Sequence, residues 1–147
     1  MLLKRKMYGD GGIKLPAGDF LFAGPATVVG VERKAIGDLI TTFGTRVNMP
    51  NKSATQTVKG SRLWLQLGNL LETYDTAYLL IELNKKLWTR DDGQYSVGYY
   101  HYSFYDTQVW GMLDSLQAKG LRIRMTTSLG RTVAMLVQMA DKLKKGE

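Results

Sequence analysis

The chain has 147 residues, of which 44% are hydrophobic and 22% charged, a size and composition for one globular domain with its own core rather than two. It contains no cysteine and a single histidine, which excludes disulfides, thiolate metal sites and cysteine nucleophiles and argues against a zinc site built on imidazoles. The formal charge of +7 points to a polyanionic partner.

The opening stretch MLLKRKMYGDGG is basic, but its apolar run is too short for a signal peptide, and no stretch reaches the roughly 18 apolar residues of a spanning helix. The expectation is a soluble, intracellular protein with no membrane partner, cytoplasmic in a prokaryote or viral host and nuclear in a eukaryote. KLPAGDFLF reads as an extended segment with a turn at Ala17-Gly18, and a second turn follows at Ala23-Gly24-Pro25. The β-branched run ATVVGVERK then reads as a strand forming a hairpin with that segment. Ile36 to Phe43 reads as a short helix. From Gly44 to Ser61 the chain is rich in Thr, Asn, Ser and Lys and almost free of apolar residues, the composition of a long mobile loop. In RLWLQLGNLLETY, Leu63, Leu67, Leu70 and Leu71 share a helical face, and AYLLIEL is a short apolar run of the kind found in strands covered on both faces. TRDDGQYSVGYYHYSFYD places an Asp92-Gly93 turn between polar and aromatic runs. Thereafter DTQVWGMLDSLQAKG reads as a helix stopped by Gly120, LRIRMTT as a strand, and SLGRTVAMLVQMADKLKK as a helix capped by Ser128. Strands alternating with helices predict an α/β architecture with a central mixed sheet.

The charges that end the second hairpin strand are costly to bury without compensation. On a strand, Glu32 and Lys34 point to one face and Arg33 to the other. Asp19 lies on the neighbouring hairpin strand, and Asp38 falls near the start of the following helix. Two carboxylates with a lysine two residues beyond one of them suit phosphodiester hydrolysis: magnesium takes only one or two protein carboxylates and fills its other positions with water and phosphate oxygens.

These residues carry a family resemblance. Gly18-Asp19-Phe20, then VERKAIGDL at Val31 to Leu39, Arg62-Leu-Trp-Leu-Gln66 and LLIEL at Leu79 to Leu83, resemble the nuclease domain of XPF-type structure-specific DNA endonucleases, whose signature is Gly-Asp, a spacer, Glu-Arg-Lys, three residues and Asp. IRMTTSLGRTVAMLVQMADKL is similar to the family's last strand and final helix. The resemblance implies a restriction-endonuclease-like core over residues 1–147 and a magnesium- or manganese-dependent enzyme acting on branched DNA such as flaps, forks and junctions. By the same resemblance Asp19 and Glu32 are metal ligands, Lys34 orients the attacking water, and Arg33 and Asp38 support the site. It also implies a homodimer or a heterodimer, with Val133, Leu136, Val137 and Ala140 of the last helix as the expected face. Two parts of the family pattern have no match in the sequence: the first strand with its Asp-x-Arg-Glu motif, in place of which stands MLLKRKMYGDGGIK, and the helix-hairpin-helix domain after the nuclease.

Arg46, Lys52, Lys59, Arg62 and Gln66 are candidate DNA contacts, the basic members because cations along the backbone supply most sequence-independent affinity; a plain solvated loop is the other reading. Tyr95, Tyr99, Tyr100, His101, Tyr102, Phe104 and Tyr105 either stack unpaired bases or pack a hairpin. Glu82 reads as a strand-end charge with at most a supporting role. Two other functions fit the same residues: a non-catalytic DNA-binding or scaffold subunit of this fold, and a protein-interaction module using the aromatic segment.

Overall fold

The computed structural model describes residues 2–4, 15–49, 58–85, 87–89, 94–97 and 100–146. In chain order, β1 (Leu2–Lys4), β2 (Phe20–Ala23) and β3 (Val28–Ala35) lead into helix α1 (Ile36–Gly44), and β4 (Arg46–Met49) and β5 (Val58–Ser61) precede α2 (Arg62–Thr73). Then come β6 (Thr76–Glu82), β7 (Leu87–Thr89), β8 (Gln94–Val97), β9 (Tyr100–Tyr105), α3 (Asp106–Ala118), β10 (Arg122–Thr126) and α4 (Leu129–Lys144).

Val28, Val29 and Val31 favour extended backbone, and β3 accordingly forms the expected hairpin with β2, pairing Phe20 with Val31 and Ala23 with Val28. On its other side β3 runs parallel to β6, and β6 parallel to β10, giving a mixed sheet in the order β1-β2-β3-β6-β10. The apolar run of β6 is covered on both faces, as the sequence implied. Ala77, Leu79 and Ile81 join a core with α1, α2 and α3 on one side, whereas Leu80 joins Phe22, Val29, Val31, Leu136 and Leu143 under α4 on the other. Leu63, Leu67 and Leu70 are fully buried and Leu71 partly so. Gly120 ends α3 with φ +108°, and the Ser128 side chain accepts from the Arg131 amide to cap α4.

Three expectations need correction. The segment expected as a loop from Gly44 to Ser61 contains an antiparallel ribbon in which Arg46 pairs with Ser61 and Met49 with Val58. Along β4, Arg46 and Asn48 are exposed while Val47 and Met49 are partly buried, the period-two pattern of a half-buried strand. Second, Leu2–Lys4 pairs antiparallel with β2 at the sheet edge, where no strand was expected; it carries no carboxylate. Third, Leu136 and Ala140 face the core, leaving Leu129, Val133 and Val137 as the exposed apolar stripe of α4.

The backbones of β7, β8 and β9 form a separate antiparallel sheet. Lys52, the Asp92-Gly93 turn and Tyr99 lie outside the described residues, as do the side chains of Tyr95, Tyr100, His101, Tyr102, Phe104 and Tyr105. Among the described residues no helix is long and apolar enough to cross a membrane.

Candidate active site

The Gly-Asp pair acts through its turn. Gly18 has φ +78°, a left-handed conformation costly for other residues, and a Cβ there would stand 2.8 Å from Leu70 and 3.1 Å from the Val31 carbonyl oxygen. This turn delivers Asp19 at the point where the β2 ladder stops. Its amide donates to the Val31 carbonyl at 2.8 Å, and its carboxylate accepts from the Arg33 amide at 2.9 Å, so the side chain continues the pairing that the backbone leaves off. A second brace comes from Tyr74, whose hydroxyl donates to the Ala17 carbonyl at 2.6 Å. Burial pushes that hydroxyl's pKa above the usual tyrosine value, which keeps it a donor.

Alternation along β3 places its charges as the sequence predicts. Glu32 and Lys34 face α1 and α2, with Lys34 Nζ 3.5 Å from Glu32 Oε1 and Glu32 itself 5% exposed. Lysine so close compensates the buried carboxylate. Asp38, in the first turn of α1, is exposed where the helix dipole favours a negative charge. With Asp19, these three groups line one cleft of about 290 Å³. Helical spacing supplies its other wall: Thr41 and Thr42 lie one turn beyond Asp38 on α1, and Arg62 and Gln66 lie one turn apart on α2. Gln66 Oε1 is buried there with no hydrogen-bond partner among the described residues.

Of the expected site residues, Asp19, Glu32, Arg33, Lys34, Asp38, Arg62 and Gln66 all line this cleft. Arg46 and Lys59 sit on the adjoining ribbon, both exposed, with the Arg46 guanidinium donating to the Lys59 carbonyl at 3.0 Å. The Arg33 guanidinium goes the other way. It crosses to the α4 face of the sheet and ion-pairs with Glu82 at 2.5 Å. Thr41 and Thr42 were missed by sequence reasoning, although their spacing from Asp38 marks them as sharing its helical face.

Among the described residues, no three His, Cys, Asp or Glu side chains are grouped to hold a metal ion. The oxygen donors lining this cleft among the described residues include the carboxylates of Asp19, Glu32 and Asp38 and the Gln66 side-chain oxygen. Hard oxygen atoms in an incomplete set fit magnesium, which keeps water and substrate oxygens in its remaining positions.

The profile of the ERCC4 domain matches residues 13–139. No curated protein matches the chain. With β2, β3, β6 and β10 of the mixed sheet, the Gly-Asp turn and the Glu-Arg-Lys strand end all inside the matched span, the chain belongs to the ERCC4-domain family, the XPF-type nuclease domains.

Proposed function

We propose that the chain is a metal-dependent DNA endonuclease that hydrolyses phosphodiester bonds at branched DNA. The observation that carries this reading is the convergence of Asp19, Glu32, Lys34 and Asp38 on one cleft beside the exposed cations of α2 and the β4–β5 ribbon. Asp19 and Glu32 would hold magnesium or manganese, and Gln66 adds an acceptor oxygen to the cleft. When bound, the ion lowers the pKa of a water and neutralises charge on the phosphoryl oxygens. Lys34 stays next to Glu32, where its ammonium orients a water and balances developing negative charge. Asp38 completes the polar rim. Arg46, Lys59 and Arg62 neutralise backbone phosphates, a sequence-independent contact suited to an enzyme that selects DNA by shape.

A second ERCC4-type chain, identical or related, pairs with this one through the α4 stripe of Leu129, Val133 and Val137. These side chains are 60%, 51% and 55% exposed and recur every fourth residue, a continuous apolar face that none of the described residues covers.

The test is cleavage of labelled flap, splayed-arm and Holliday-junction DNA with magnesium, manganese or EDTA, comparing wild type with Asp19→Asn and Glu32→Gln. Cutting that needs the metal and falls by at least about 100-fold in both variants is expected, since a metal supplies several kcal/mol of charge stabilisation. Tight, salt-sensitive binding without cutting would assign the chain to a non-catalytic subunit. Absence of DNA binding at moderate salt would leave the protein-interaction module.

A further inference from the structure

Arg33 lines the cleft along with its neighbours Glu32 and Lys34, yet its guanidinium serves the opposite face. Its Nε and Nη2 both donate to Glu82 Oε2, at 2.9 and 2.5 Å. Glu82, the last residue of β6, is 4% exposed, and Thr132 of α4 adds a longer contact to the same oxygen at 3.4 Å. Thr132 is in turn held by the Thr126 hydroxyl at 2.6 Å.

An ion pair with a buried partner is weak evidence of stability: here Glu82 is buried while the Arg33 side chain stays 34% exposed, and desolvating the carboxylate offsets much of the attraction. What two donors on one oxygen do accomplish is orientation. A guanidinium held in this way fixes the direction of the Arg33 side chain. The amide of the same residue donates to the Asp19 carboxylate. The route from Glu82 to Asp19 therefore passes through one amino acid, by its side chain on one face of the sheet and its main chain at the strand edge.

We propose that Glu82 is a positioning residue for the cleft. By holding Arg33 against the α4 face, it sets the main-chain amide that aims the Asp19 carboxylate beside Glu32. The functional consequence rests on reading the cleft as a metal-dependent nuclease site; the geometric claim does not.

The experiment compares wild type with Arg33→Met/Glu82→Leu, which removes both charges at similar volume and so avoids stranding either one. Amide hydrogen exchange is followed at position 33 in metal-free protein, with Leu79 and Leu80 as internal references, and manganese binding is measured by calorimetry. Expected are a melting temperature near wild type, exchange at position 33 faster by at least about tenfold, and manganese affinity and kcat lower by about 10–100-fold, the usual effect of removing an outer partner of a metal site. Duplex binding in EDTA stays unchanged. Wild-type exchange at position 33 together with wild-type manganese affinity would overturn the proposal and leave the pair as charge balance alone. If the double variant melts low, Glu82→Gln keeps the volume and one acceptor oxygen, and unchanged exchange in it overturns the proposal equally. If wild type neither binds manganese nor cuts DNA, the nuclease reading falls, while the exchange comparison still decides the positioning claim.

Discussion

Gly30→Ala separates the role of one β3 glycine from ordinary helix propensity. A Cβ at Gly30 would overlap the Tyr74 ring at Cδ2, Cε2 and Cγ. The ring is not a flexible chain end that can swing aside: Tyr74 is 8% exposed within the core shared with α1, α2 and α3, and its hydroxyl is tied to Ala17 at 2.6 Å. Overpacking of this kind costs about 1–3 kcal/mol, and the displaced phenol loses a hydrogen bond worth about 1 kcal/mol. Together they predict a loss of about 2–4 kcal/mol, equivalent for a domain of this size to a fall in Tm of about 4–16 °C. Circular dichroism melts and urea titrations of Gly30→Ala, with Gly68→Ala as companion, test this. Gly68 lies inside α2, where an added Cβ meets nothing within 4 Å, so the same substitution there is expected to raise stability by about 0.5–1 kcal/mol. In a Tyr74→Leu background the cost of Gly30→Ala shrinks. If Gly30→Ala lies within about 0.5 kcal/mol of wild type, the close packing of Tyr74 on β3 is not what the site segment leans on.

Tyr74 also predicts an alkaline limb. Burial raises its pKa above the ordinary value of 10.0, so the fold favours the neutral phenol: its contribution is fully present below about pH 10 and is lost as pH rises through the raised folded value. Tyr74→Phe should cost about 1 kcal/mol at neutral pH and flatten stability measured by urea titration above pH 10; an unchanged limb would assign that behaviour to other groups. On α4, Val133→Lys with Val137→Lys should leave stability within about 0.5 kcal/mol of wild type while abolishing pairing in light scattering, whereas Leu136→Asp buries a charge in the core and should unfold the chain. A strictly monomeric wild type would refute the pairing face.

Much of the architecture was legible because local rules agree with one another. The helical spacing of Leu63, Leu67 and Leu70, the Ser128 cap and the Gly120 stop all hold in the structure. The β4–β5 ribbon was not legible: polar side chains dominate its composition, and its apolar signal is limited to the alternation of Val47 with Met49 on β4 and a single Val58 on β5. The last helix was ambiguous for a different reason. It carries two apolar stripes, and sequence periodicity cannot say whether Leu136 and Leu143 or Val133 and Val137 meet the sheet; the register of the strands beneath decides that.

The charged triplet at the end of β3 shows where sequence reasoning stops. Alternation alone separates Glu32 and Lys34 from Arg33, and the structure honours it. What alternation cannot supply is the partner of each charge. Glu32 finds its cation two residues away, so that pairing is readable along the strand. Arg33 finds its carboxylate in Glu82, 49 residues away, through the parallel pairing of β3 with β6. A strand end with three consecutive charges is tolerable only when both faces provide compensation, and here each face does so differently: the α1–α2 side with a lysine and an open cleft, the α4 side with a buried glutamate. The residue that looked least informative, a strand-end glutamate after an apolar run, is therefore the one that lets this strand carry charge at its buried end.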